Sequence, residues 1–88
     1  MKAQVIRSFE KDVRSIRDKK LKVRLGETLA QIAMAKELAE LSDVVPMSGH
    51  PGFYRIRIGE YRLGFYIQAD TLILARFLHR REIYRFFP

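Results

Sequence analysis

Arg55, Arg57 and Arg62 lie in one short segment, Tyr54-Arg55-Ile56-Arg57-Ile58-Gly59-Glu60-Tyr61-Arg62. A guanidinium presents a planar fork of donors that matches a phosphate, and it keeps its proton in any protein setting. These residues can therefore bind phosphate or stabilise charge growing on phosphoryl oxygens, but none can serve as a general base. A second group closes the chain: Leu78-His79-Arg80-Arg81-Glu82-Ile83-Tyr84-Arg85. His79 sits among cations that disfavour its protonated form, which makes it a candidate base. Tyr84 can donate a proton or stack on a nucleobase, and Arg80, Arg81 and Arg85 add fixed positive charge. His50, between Gly49 and Pro51, has no evident partner and reads as part of a loop.

The elements around the first segment define its geometry. Gly59-Glu60 is a two-residue connection with glycine first, which predicts a type II′ hairpin turn. That turn sets Ile58 against Tyr61, Arg57 against Arg62 and Ile56 against Leu63. Side chains alternate across a strand. Tyr54, Ile56, Ile58, Tyr61, Leu63 and Phe65 then share one face, expected to lie beneath helices, while Arg55, Arg57, Arg62 and Tyr66 share the other. Like charges placed opposite one another destabilise a sheet, and no acid occupies a neighbouring position on that face. Long side chains splaying into water would tolerate the arrangement. Three guanidiniums beside a tyrosine on a rigid sheet better suit phosphates and stacked bases.

The rest of the chain supplies a support. Ala3 to Ile6 can form a first strand. Ser8 stands where a helix N-cap belongs, followed by Phe9, Val13 and Ile16 at helical spacing. Asp18-Lys19-Lys20 reads as a tight connection to a longer helix, from about Leu21 to Leu41, with Leu25, Leu29, Ile32 and Ala39 along one face. Neither helix can stand alone. Ser42 to Gly52 is irregular, with a brief strand at Val44 and Val45. Phe53–Ile58 and Tyr61–Ile67 alternate as strands. Leu72–Leu78 is the most continuously apolar run of the chain, as a central strand would be. Segregated helices and strands predict an α+β fold. It has an N-terminal strand and a two-helix hairpin on one face of a twisted antiparallel sheet of about four strands, all in a single domain over residues 1–88.

Composition narrows the function. A chain of 88 residues with a formal net charge of +7 attracts polyanions beyond what solubility requires. It has no cysteine, so disulfides and thiolate metal sites are excluded, which fits a reducing, cytoplasmic setting. No signal-peptide run or membrane-length apolar stretch is present. No phosphate-binding glycine loop, dinucleotide fingerprint, paired-histidine metal motif or Ser-His-acid arrangement is visible. Catalysis, if the chain performs any, is expected to need neither cofactor nor metal and to run largely on cations.

With both clusters placed, the sequence resembles the RelE/ParE toxin superfamily over nearly its whole length. The resemblance runs through the Ser8-Phe9-Glu10-Lys11-Asp12 helix start, Tyr54-Arg55-Ile56-Arg57, Tyr61-Arg62-Leu63 and His79-Arg80-Arg81-Glu82-Ile83-Tyr84. It implies a compact microbial-RNase-like fold, a toxin that cuts mRNA on the ribosome, and a cognate antitoxin that neutralises it. On that pattern Arg55, Arg57, Arg62, Arg80 and Tyr84 take the places of catalytic residues. His79 takes the part of the base, because arginine stands where such toxins often carry lysine. Tyr66, Arg81 and Arg85 are expected to contact RNA. A bulge could exchange Arg80 and Arg81. Two other functions fit the same resemblance: a ParE-like inhibitor of DNA gyrase, and a noncatalytic module that binds nucleic acid or antitoxin.

Overall fold

A computed structural model describes all residues from Met1 to Pro88. The elements follow in the order β1 (Lys2–Val5), α1 (Arg7–Arg14), α2 (Lys19–Met34), a 3₁₀ turn (Leu38–Glu40), β2 (Val44–Pro46), β3 (Phe53–Ile58), β4 (Tyr61–Gln68), β5 (Thr71–His79) and α3 (Ile83–Phe86). The fold is α+β, as expected. The sheet has five strands rather than about four, in the order β1-β5-β4-β3-β2. It is mixed, because β1 runs parallel to β5 and occupies an edge of the sheet.

The helical hairpin covers one sheet face. Phe9, Ile16, Leu21, Leu25 and Ile32 from the hairpin meet Ile56, Ile58, Leu63, Phe65, Leu72, Leu74 and Phe77 from the sheet. Two expectations about the helices need correction. Ser8 is not an N-cap; it lies inside α1, and its hydroxyl donates to the Ala75 carbonyl at 2.7 Å. The second helix starts two residues early and ends at Met34, not near Leu41. It starts early because the Asp18 carboxylate accepts from the Lys20 and Leu21 amides at 3.0 and 3.2 Å, capping the first turn. It ends early because the Glu40 carboxylate takes the Lys36 and Glu37 amides at 2.8 and 2.9 Å, a local bond that competes with helix continuation.

β1 ends before β5 does, leaving the outer edge of β5 unpaired beyond Leu74. α1 fills that edge with side chains. Ser8 satisfies the Ala75 carbonyl, and Asp12 accepts from the Phe77 amide at 2.9 Å. Asp12 also grips Arg76 with two bonds, at 2.7 and 3.1 Å. This partly buried pair raises the Arg76 pKa, chiefly through the hydrogen bond. Asp12 therefore holds helix to sheet.

Candidate active site

The turn at Gly59-Glu60 has the expected conformation. Gly59 has a φ of +59°, and Glu60 is not in the left-handed region, as a type II′ turn requires. Ile58 pairs with Tyr61, Arg57 with Arg62, and Ile56 with Leu63. The register therefore sets Arg57 beside Arg62, with Arg55 further along the same face of β3.

Arg62 is the centre of the group. It is half-buried, and its guanidinium donates to the Gly59 and Tyr61 carbonyls at 3.1 and 3.0 Å, which fixes its position over the turn. Its pKa is lowered from the ordinary arginine value. Partial burial acts first, followed by the charges of Arg55 and Arg57; Tyr84 opposes them, and Arg80 adds to the lowering. The charges of three arginines and a tyrosine therefore act on Arg62, and Tyr84 also lies under the Arg55 guanidinium at 5.5 Å from the ring centroid.

Arg80 reaches this face from the end of β5. Its amide donates to the Glu60 carbonyl at 2.8 Å, and its Nε donates to the Glu60 carboxylate at 2.7 Å. Both side chains are more than half exposed, so the pair contributes little to stability, and its effect is to orient Arg80. Both Arg80 and Arg81 are exposed, and of the two only Arg80 acts on the charge of Arg62.

His79 does not join the group. Leu74 and Phe77 both enter the helix-covered core although an odd number of steps separates them, because Ala75 is an extra residue in β5. Between Gly64/Phe65 of β4 and their partners Arg76/Leu74, the ladder skips Ala75. After this bulge His79 pairs with Tyr61, and the two rings meet edge-on at 5.5 Å. Tyr61 faces the helical hairpin, so His79 faces it too, opposite the arginines. The sequence pattern carries no clear mark of the bulge, since Leu72–Leu78 is apolar on both faces except at Arg76.

The arginine face also has a second core that the alternation pattern missed. Met47, Ala75, Ile83 and Phe87 are buried there, with Phe53, Tyr66 and Leu78 against them. Tyr66 packs tilted against Phe53 with ring centroids 5.1 Å apart, so its ring serves packing more than solvent. Ile83 and Phe87, one helical turn apart, fasten the tail and leave Tyr84 63% exposed above the arginines. Their spacing was the available signal. Arg85 lies beside Phe86 at 5.8 Å, away from Arg62. Arg24 of α2 was not anticipated either; it reaches over Gly59, where a β-carbon would stand 2.9 Å from its guanidinium.

Comparison with known proteins agrees with this fold. Residues 5–84 match the family model described as ParE toxin of type II toxin-antitoxin system, parDE. The chain is 33% identical, over the full length of both proteins, to Toxin RelE3 of Methanocaldococcus jannaschii. Among solved structures, it is similar to the RelB-RelE antitoxin-toxin complex from Methanococcus jannaschii. The TM-score is 0.81 at 30% identity, covering 96% of this chain and 98% of that one. The archaeal RelE-RelB complex from Pyrococcus horikoshii OT3 shares the fold, with a TM-score of 0.70 at 19% identity over 90% and 93% of the two chains. YafQ from E. coli does too, at 0.65 and 17% over 93% and 96%. The chain belongs to the RelE/ParE family of toxins of type II toxin–antitoxin systems.

Proposed function

We propose that this toxin is a ribosome-dependent mRNA endonuclease, held in check by a cognate antitoxin and acting in the cytoplasm. The observation that carries the reading is the convergence of Arg55, Arg57, Arg80 and Tyr84 on the half-buried Arg62. In the reaction a ribose 2′-oxygen attacks the adjacent phosphorus and the bond from phosphorus to the 5′-oxygen breaks. The 2′-hydroxyl gives its proton to solvent water, the 5′-oxygen gains one, and a 2′,3′-cyclic phosphate remains. Negative charge builds on the phosphoryl oxygens in between. Arg62, already fixed by two carbonyls, meets that charge without reorganising, and preorganised donors of this kind are worth about 10²–10³ in rate. Arg55, Arg57 and Arg80 add to the field. Tyr84 is placed on this face to protonate the leaving oxygen or to stack on a base. His79, on the other face, is not the base.

The orientation of His79 favours a second reading, inhibition of DNA gyrase without cleavage, since proton transfer on the arginine face then rests on few groups. One experiment separates the two. The purified toxin is added to a translating ribosome system and, separately, to a gyrase supercoiling assay. Cuts in ribosome-bound mRNA that vanish in Arg62→Ala support the nuclease. Intact mRNA with blocked supercoiling establishes the inhibitor.

The antitoxin is expected to be acidic or amphipathic and to lay a helix or strand over the basic face and the helical pair. A short acidic reading frame beside this gene would identify it.

A further inference from the structure

We propose that His79 is a positioning residue. It shapes the turn that delivers Arg80 to the arginine face, and it does so through a neutral imidazole acting as a hydrogen-bond acceptor. The proposal rests on the nuclease reading for its activity readout.

Three bonds define the turn. His79 Nδ1 accepts from the Arg81 amide at 3.2 Å. The His79 carbonyl accepts from the Glu82 amide at 2.8 Å, and the Arg80 amide donates across to the Glu60 carbonyl at 2.8 Å. A side-chain acceptor taking the amide two residues ahead is the bond of an Asx turn, here made by an imidazole. The acceptor must be a lone pair, so the ring carries its single proton on Nε2. The ring is braced edge-on against Tyr61, which stacks on Phe77 at 5.2 Å. His79 lines a cleft of about 480 Å³ together with Ser15, Arg17, Asp18, Leu21 and Glu82, and Arg62 is not part of that lining. With the turn set this way, Arg80 emerges opposite Glu60, whose carboxylate aims its Nε. His79 thus acts at a distance from the phosphate, through the backbone of its two successors.

Asparagine places its Oδ1 where His79 holds Nδ1, and it makes Asx turns readily, but it cannot transfer protons as imidazole does. Phenylalanine keeps the ring against Tyr61 and loses the acceptor. The test therefore compares His79→Asn and His79→Phe with the unmodified toxin in two measurements. One is the rate of ribosome-bound mRNA cleavage; the other is the ¹⁵N NMR signal of Arg80 Nε in its pair with Glu60. The expected result is cleavage within about threefold of the parent and an unchanged Arg80 signal for His79→Asn. His79→Phe should lose at least tenfold in rate, and its Arg80 signal should collapse toward free arginine. Loss of cleavage in both variants with an intact Arg80 signal would overturn the proposal and return His79 to proton transfer. An unchanged rate and signal in His79→Phe would overturn it as well. If the parent itself cuts nothing, the nuclease reading fails, and the Arg80 signal still decides the role of His79.

Discussion

Phe87 rests its ring against Gly64 so closely that a β-carbon at residue 64 would meet Phe87 Cδ2 at 2.7 Å. The ring cannot simply give way, because it is buried among Met47, Ala75 and Ile83. Gly64→Ala should therefore unseat the tail, at about 1–3 kcal/mol of stability as overpacking, and carry Tyr84 away from Arg55. Thermal denaturation and mRNA cleavage measured together should both fall. Combining it with Phe87→Ala should cost less than the sum of the single changes, because the two act on one contact.

Arg62→Lys should not restore what Arg62→Ala removes. A lysine carries the charge but lacks the fork that bonds the Gly59 and Tyr61 carbonyls while still facing a phosphate. Both variants should lose about 10² or more in cleavage rate with the fold intact by circular dichroism. A lysine variant of parental activity would show that charge alone suffices.

The crowded arginines should make the toxin more stable in salt. Arg62 binds its proton less tightly in the folded chain, first because of burial and then because of Arg55 and Arg57. A base depressed in this way costs stability wherever it is charged in both states, and the cost is relieved only as pH rises through its folded value. That window is strongly alkaline, so at neutral pH screening is the practical lever. Melting temperature should rise between low salt and about 0.2 M. Arg57→Gln should also raise it, by about 0.5 kcal/mol of relieved cross-strand repulsion, while cleavage falls.

Asp12 should matter more than its place on a helix surface suggests. Asp12→Ala leaves the Phe77 amide and the Arg76 guanidinium without a partner, and should cost about 2–4 kcal/mol in chemical denaturation. Asp12→Asn keeps one acceptor and should cost less.

The turn between β4 and β5 can be improved without touching the site. Ala69 and Asp70 both have positive φ, 46° and 64°, a conformation that asparagine and glycine adopt with less strain. Ala69→Asn with Asp70→Gly should add about 1 kcal/mol and leave cleavage unchanged. A drop in melting temperature would mean that the turn residues are held by something other than their backbone.

The hairpin was legible in the sequence because a two-residue turn and period-two alternation dictate register with little help from the rest of the fold. Leu63 and Phe65 fell on the buried face, and Arg55, Arg57 and Arg62 on the other, from these rules alone. The helix boundaries were not legible. Asp18 and Glu40 capture amides through their side chains, and that competition is not visible in the spacing of Leu25, Leu29 and Ile32. The parallel pairing of β1 depends on contacts far apart in the chain. The orientation of His79 was hidden for a different reason, since an apolar strand buried on both sides gives no alternation from which a slipped count can be noticed.

The extra residue at Ala75 acts as a change of parity in β5. With an even count, the alternation that puts Leu74 in the core would carry Arg80 to that side and turn His79 toward Arg62. One inserted alanine exchanges them, so the protein keeps a face of permanently charged groups and hands its titratable ring to the far side. The charge of that face is one that ordinary changes in acidity cannot switch off.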